Sequence, residues 1–249
     1  MMDPLKTTIA EAWDRGVGDY DELVAHGRLT PTEADAWKAV LAHYLPAAPA
    51  NVLEVGAGTG VMSLLMAELG YEVTATDLSR AMLQEARRKA ARSNLTIRFK
   101  VADAEVLPFR DGQFDAVFGR HILWTLPHPA MALAEWRRVL RLGGRLVLVD
   151  SLAIGRGAGV RLRRAISDVL LKLRPPAGGH RYPPGLVGSL PLAGNSDPNR
   201  YTELIRGAGF TIERVETLDQ LKALELKATP LAERWHAPDR KYLFAARRD

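Results

Sequence analysis

The chain has no cysteine among its 249 residues. That excludes disulfides, iron–sulfur clusters and thiolate zinc sites, and with them radical chemistry on a Cys-held cluster. A reducing cytoplasm fits the composition. Long apolar runs are missing as well. The opening MMDPLKTTIAEAWDRG has no apolar core of signal-peptide length, and no later segment is apolar for long enough to span a bilayer. There is no internal repeat, no metal-ligand spacing, no nucleophile elbow and no phosphate-cradling P-loop. The expectation is a soluble, intracellular globular protein.

A hydrophobic fraction of 47% and a charged fraction of 25% are ordinary for a chain that buries a real core. The net charge of +5 is concentrated rather than spread. Arg156, Arg161, Arg163, Arg164, Lys172 and Arg174 fall in one stretch relieved only by Asp168. That basic amphipathic segment suits an anionic substrate, a membrane surface or a cap with a wet outer face.

From residue 50 to 150 short apolar strands alternate with helices. Strands are predicted at 51–55, 71–77, 96–103, 114–120 and 145–150, with helices at 61–69, 79–93 and 129–144 between them. A further helix at 198–209 and strands at 210–217 and 241–248 follow. Such alternation implies parallel strands joined by right-handed crossovers. The expected fold is α/β, a doubly wound, mostly parallel seven-stranded sheet of Rossmann-like type. Residues 1–49 read as a helical N-terminal cap, residues 50–249 as the main domain, and the Gly/Pro-broken 151–200 as an insertion capping the site. In such sheets ligands sit at the carboxyl ends of the strands.

The segment VLEVGAGTG, 52–60, puts glycines at 56, 58 and 60 between a strand and a helix. The backbone can turn tightly there and pass close to a ligand. A dinucleotide fingerprint, G-x-G-x-x-G, needs glycine at 61, where Val61 stands. The observed spacing is E-x-G-x-G-x-G from Glu54. This segment is similar to the first motif of class I methyltransferases that use S-adenosylmethionine (SAM), and the resemblance covers residues 50–150 closely. It implies SAM as cofactor and S-adenosylhomocysteine as product. It also implies a loop of Gly56, Ala57, Gly58 and Gly60 facing the methionine part, with Glu54 reaching the amino group.

Asp77 ends the second strand, where a carboxylate can accept two hydrogen bonds from a ribose diol. Leu78 would wall the adenine. Asp103 ends the third strand. By the resemblance it accepts from the adenine amine while the Ala104 N–H binds a ring nitrogen. Taken singly, each acid also suits a helix cap or a turn; three at successive strand ends with the glycine loop point to SAM. Upstream, Tyr20 is the candidate for touching the SAM carboxylate, with Trp13 behind it, or both are core aromatics.

After the fourth strand the chain reads GRHILWTLPHP, 119–129. It lacks the Asn/Asp-Pro-Pro-aromatic signature of base-methylating enzymes, which disfavours nucleic acid as the acceptor. Arg120 offers a contact for an anionic group and is placed with the cofactor set. His121 is the candidate general base, since its ordinary pKa lies near neutrality, or simply a strand-end hydrogen-bonding group. Trp124, His180 and Tyr182 are candidates for the substrate pocket. Methyl transfer asks the protein mainly to hold an acceptor in line in a dry pocket. The leading reading is transfer to O, N or C of a small organic acceptor, with a homodimer left open. The alternatives are a methyltransferase of RNA or protein, or a SAM-binding protein without turnover.

Overall fold

The computed structural model describes residues 3–21, 29–153, 185–229 and 239–249. One seven-stranded sheet runs through it in the order β3-β2-β1-β4-β5-β7-β6. β1 (Asn51–Val55), β2 (Glu72–Asp77), β3 (Arg98–Val101), β4 (Phe114–Arg120) and β5 (Leu140–Ala153) are parallel to one another. β7 (Asp239–Arg248) enters antiparallel between β5 and β6 (Phe210–Thr217). The order reverses between β1 and β4, which opens a crevice at their carboxyl ends.

Helices cover both faces. α3 (Val61–Glu68), α4 (Arg80–Arg92) and α5 (Pro129–Val139) form the crossovers, each starting from a sequence signal. Ser79 caps α4 by accepting from the Met82 N–H at 3.1 Å, and Pro129 opens α5. α2 (Pro31–Tyr44) begins with a capping box, in which Thr30 accepts from the Glu33 N–H while Glu33 takes the Thr30 N–H. It then buries Trp37, Leu41 and Leu45 against Val52, Met62 and Val147. Burying each such side chain contributes about 1.5–3 kcal/mol. α2 is thus part of the core on one face of the sheet. On the other face Trp136, Leu133 and Tyr201 pack over Val117, Leu146 and Phe244.

Several boundaries shift by one or two residues, β3 spanning 98–101 within the expected 96–103, and the larger departures lie around α5, β5 and the segment before β7. The helix expected over 129–144 ends at Val139, because Leu140 already pairs with Phe114 in the sheet. The pairing resumes at Ala116 and Arg145, so Arg141–Gly144 form an irregularity within β5 rather than a helical turn. β5 also runs on to Ala153, paired with Asp239, into the expected insertion. A helix that the sequence reading did not anticipate, α7 (Asp219–Ala228), precedes β7. Only Leu221 and Glu225 of it are buried, too narrow an apolar stripe to stand out in the sequence. α6 (Pro198–Gly207) is N-capped by Asp197.

α1 (Pro4–Tyr20) lies across the strand ends and is bolted there by polar contacts. Asp14 accepts from the Ser79 hydroxyl at 2.5 Å and from the Ala81 N–H at 3.1 Å, at the N-terminus of α4. The Thr59 hydroxyl donates to Asp21 at 2.6 Å, and Lys89 pairs with the same carboxylate.

Candidate active site

Between α1 and the carboxyl ends of β1–β5 lies a cavity of about 530 Å³. Tyr20, Gly56, Gly58, Asp77, Leu78, Asp103, Ala104, Arg120, His121 and Trp124 all line it, as does Trp13. Glu54, Ala57 and Gly60 do not reach its surface. His180 and Tyr182, like the basic stretch 156–174, lie outside the described residues.

The glycine loop has two distinct reasons for its composition. Gly56 has φ +66°, and a Cβ on it would lie 2.6 Å from Ile122 Cδ1. Gly60 has φ +81°, and its Cβ would lie 2.8 Å from that of Ala86. Both positions require glycine for the protein's own packing. At Gly58 no such clash arises: the Tyr20 ring lies 3.7 Å from where a Cβ would stand, and the loop there faces the cavity.

Asp77 is held on both oxygens, one by the glycine loop after β1 and the other by the turn that follows its own strand. The Gly58 N–H donates to Oδ2 and the Ser79 N–H to Oδ1, each at 2.8 Å. Burial raises its pKa, and these amides work against that rise. Asp103 accepts from the Glu105 N–H at 2.9 Å and from Lys6 Nζ at 2.6 Å. Lys6 also lies 2.5 Å from the buried Glu105, which takes the His128 N–H at 2.7 Å. Lys6 thus ties α1 to both acids.

Beneath the floor, Glu54 is buried and accepts from the Ser63 hydroxyl of α3. Burial pushes its carboxyl up to about 7, while Ser63 and the Arg120 charge pull the other way. Burial raises the pKa of the Tyr20 phenol, and the Arg120 charge works against that rise. The Arg120 guanidinium lies 5.5 Å from the centre of the Trp37 ring.

At the far end the cavity is lined by His121, Trp124, Leu126, Leu152, Leu192 and Tyr201, then by α7 and β7. His121 has φ +57°, uncommon for a side chain with a Cβ, and its N–H donates to the Val149 carbonyl at 2.9 Å. Its Nδ1 lies 3.3 Å from Asp150 Oδ1. Asp150 accepts from the Tyr201 hydroxyl at 3.0 Å and from the Ser151 N–H at 3.0 Å. Burial pushes the Asp150 carboxyl up to about 7 against those donors. Lys241 is buried on Glu225, and desolvation lowers its pKa. Sequence reasoning missed Lys6, Asp150, Tyr201, Lys241 and Glu225. Asp150 was within reach, because it ends the RLVLVD strand and strand ends are where ligands sit. Tyr201 and Lys6 stand on helices with no local signal.

Residues 53–148 match the family model described as Methyltransferase domain. A demethylmenaquinone methyltransferase of Thermus thermophilus is 34% identical over 175 residues, spanning 68% of this chain and 77% of the relative. The chain belongs to the class I SAM-dependent methyltransferases. It is an enzyme, and SAM is its methyl donor. Two solved structures share the fold at low identity. A geranyl diphosphate methyltransferase with GPP and sinefungin superposes with a TM-score of 0.66 at 20% identity, over 99% of this chain and 100% of the other. The [4+2]-cyclase SpnF superposes with a TM-score of 0.67 at 20% identity, over 96% and 94%. Among the described residues of this methyltransferase, no helix is long and apolar enough to cross a membrane.

Proposed function

We propose that this methyltransferase acts on a small, largely apolar organic acceptor, with a quinol-type ring as first choice, in cytoplasmic small-molecule metabolism. One observation carries the reading. A single cavity joins the strand-end acids Asp77 and Asp103 to a chamber walled by Trp124, Leu126, Leu152 and Leu192, with His121 between them in chain order. Such a chamber suits a flat apolar acceptor and excludes water from it. The Thermus thermophilus relative, a demethylmenaquinone methyltransferase, supports the quinol.

SAM, when bound, supplies an electrophilic methyl carbon whose bonding pair leaves with sulfur to give S-adenosylhomocysteine. The chain's residues hold it. Asp77, fixed by two amides, accepts from the ribose hydroxyls, and Leu78 flanks the adenine. Asp103 takes the exocyclic amine, and the Ala104 N–H a ring nitrogen. Arg120 and Tyr20 meet the carboxylate end, while Glu54 supplies negative charge for the ammonium from one layer below. Gly56, Ala57, Gly58 and Gly60 shape the loop between. His121 orients the acceptor and takes its proton, and Trp124 stacks beside it. Within the expected 1–49 cap, the contacts of α1 support Pro4–Tyr20 as the part that covers the cofactor. Residues 151–200, with His180 and Tyr182, are assigned to the acceptor's cover on sequence grounds.

The test is turnover with purified protein and SAM, reading released S-adenosylhomocysteine. A demethylated naphthoquinol is offered beside a malonyl thioester, bulk tRNA and a protein lysate. Release with the quinol or another small acceptor supports the proposal. Release only with tRNA or protein overturns it.

A further inference from the structure

Three side chains from three elements form a chain of contacts at the acceptor end of the cavity. His121 follows β4 directly, Asp150 lies near the end of β5, and Tyr201 sits on α6. Tyr201 is wholly buried and stacks on Phe244 with ring centres 5.1 Å apart, so its hydroxyl is fixed in place. That hydroxyl donates to Asp150 Oδ2 at 3.0 Å. The other carboxylate oxygen faces His121 Nδ1 at 3.3 Å and takes the Ser151 N–H at 3.0 Å.

The position of His121 is itself enforced. Its left-handed backbone conformation is the kind of outlier that persists only where the surroundings over-determine it. Here the Val149 carbonyl holds its N–H, and Ile122, the next residue, fills the space over Gly56 and Gly119. A Cβ at Gly119 would stand 2.8 Å from Ile122 Cγ2. The turn therefore presents the imidazole between the cavity and Asp150 in one orientation.

We infer that Asp150 and Tyr201 are positioning residues for His121, and that the acceptor is a molecule with a weakly acidic hydroxyl, phenolic or enolic, whose proton His121 removes. This rests on the proposed function above. A carboxylate that accepts from Nδ1–H fixes the tautomer in which Nε2 carries the basic lone pair, and it stabilises the imidazolium once formed. The proton passes from the acceptor hydroxyl to Nε2, the O–H bonding pair stays on the acceptor as the nucleophile, and the imidazolium returns the proton to solvent. Burial raises the Asp150 carboxyl, and the groups that work against that rise and favour its charged form are the Tyr201 hydroxyl of α6, the Ser151 and Trp124 amides, and the Lys241 charge of β7. A thioether acceptor has no proton to lose and would need no such arrangement. An ammonium would, but the apolar walls of Trp124, Leu126, Leu152 and Leu192 suit a neutral hydroxyl rather than a cation. A hydroxyl needs the arrangement, because it reaches the site protonated.

The experiment is side-chain ¹⁵N NMR of the full chain with S-adenosylhomocysteine, with the His121 signal assigned through His121→Gln. Wild type is expected to show neutral His121 as the Nδ1–H tautomer. Asp150→Asn is expected to convert it to Nε2–H or a mixture. Tyr201→Phe is expected to keep Nδ1–H but shift the titration of His121. Added 1-naphthol should move the Nε2 signal, and naphthalene should not. An Nε2–H tautomer in wild type, indifferent to Asp150→Asn, overturns the positioning role. Equal responses to naphthol and naphthalene, or none to naphthol, overturn the acceptor class. Calorimetry of SAM binding to the same proteins keeps the two readings apart. Loss of SAM affinity in wild type would sink the cofactor assignment, whereas the tautomer reports on His121 alone.

Discussion

On the cofactor side of the cavity the acids come in chain order at the ends of successive strands, Asp77 at the end of β2 and Asp103 just past β3. On the proposed acceptor side His121 follows β4, its partner Asp150 lies on β5, and Tyr201, Glu225 and Lys241 come from α6, α7 and β7, scattered between residues 121 and 241. The first half is a property of the crossover motif, because every strand–turn–helix passage delivers one turn residue to the same edge. The second half is assembled by tertiary packing. It exists only because β7 turns back antiparallel beside β5 and brings α6 and α7 over the strand ends. One half can therefore be altered with little effect on the other, and variants on either side test that separation.

The largest effect is expected on the cofactor side. Asp77→Ala removes a carboxylate anchored by the Gly58 and Ser79 amides and facing the cavity. SAM affinity should fall about 10–100-fold, for a loss of ~1–3 kcal/mol. Isothermal calorimetry with SAM checks it. Unchanged affinity would remove Asp77 from the cofactor site and with it the division drawn here.

A smaller change is expected across the boundary. Trp124 packs against both the main core and the small cluster of Ile9, Leu186 and Leu190, and lines the cavity beside Leu126. Trp124→Ala should raise the acceptor KM about tenfold, ~1.4 kcal/mol, with SAM affinity preserved. A matching loss of SAM affinity would mean that the two halves are one cooperative unit.

This division also explains what the sequence made legible. Glycines at 56, 58 and 60, Asp77 and Asp103 are legible because a strand's end and a helix's start are local signals with local causes. β4 and β6 match their sequence expectation at both ends for the same reason. Tyr201 and Lys6 are not legible, since a helix residue acquires a role only from what packs beside it. The end of α5 was misplaced because Leu140–Gly144 continues the helix's apolar and basic pattern, and pairing with Phe114 overrides that propensity. α7 shows the opposite failure, a helix held by few buried residues.

The smallest effect tests whether the cofactor half stores strain that SAM relieves. Glu54 lies buried on Ser63, and its carboxyl is pushed up to about 7 from an ordinary 4.5. Below pH 4.5 the group is protonated in both folded and unfolded chains. Between pH 4.5 and 7 the unfolded chain gives up a proton that the folded one keeps, so stability falls as pH rises through that window and stays lower above it. Glu54→Gln cannot ionise and escapes the loss. Its melting temperature without SAM should match wild type near pH 4.5 and exceed it by about 2–4 °C at pH 8, from ~1 kcal/mol. The same variant should bind SAM a few-fold more weakly, because an amide offers the ammonium no charge. A melting difference that does not widen with pH would show Glu54 already ionised before SAM arrives, with Arg120 holding its charge. The loop would then be preorganised for the cofactor rather than strained against it.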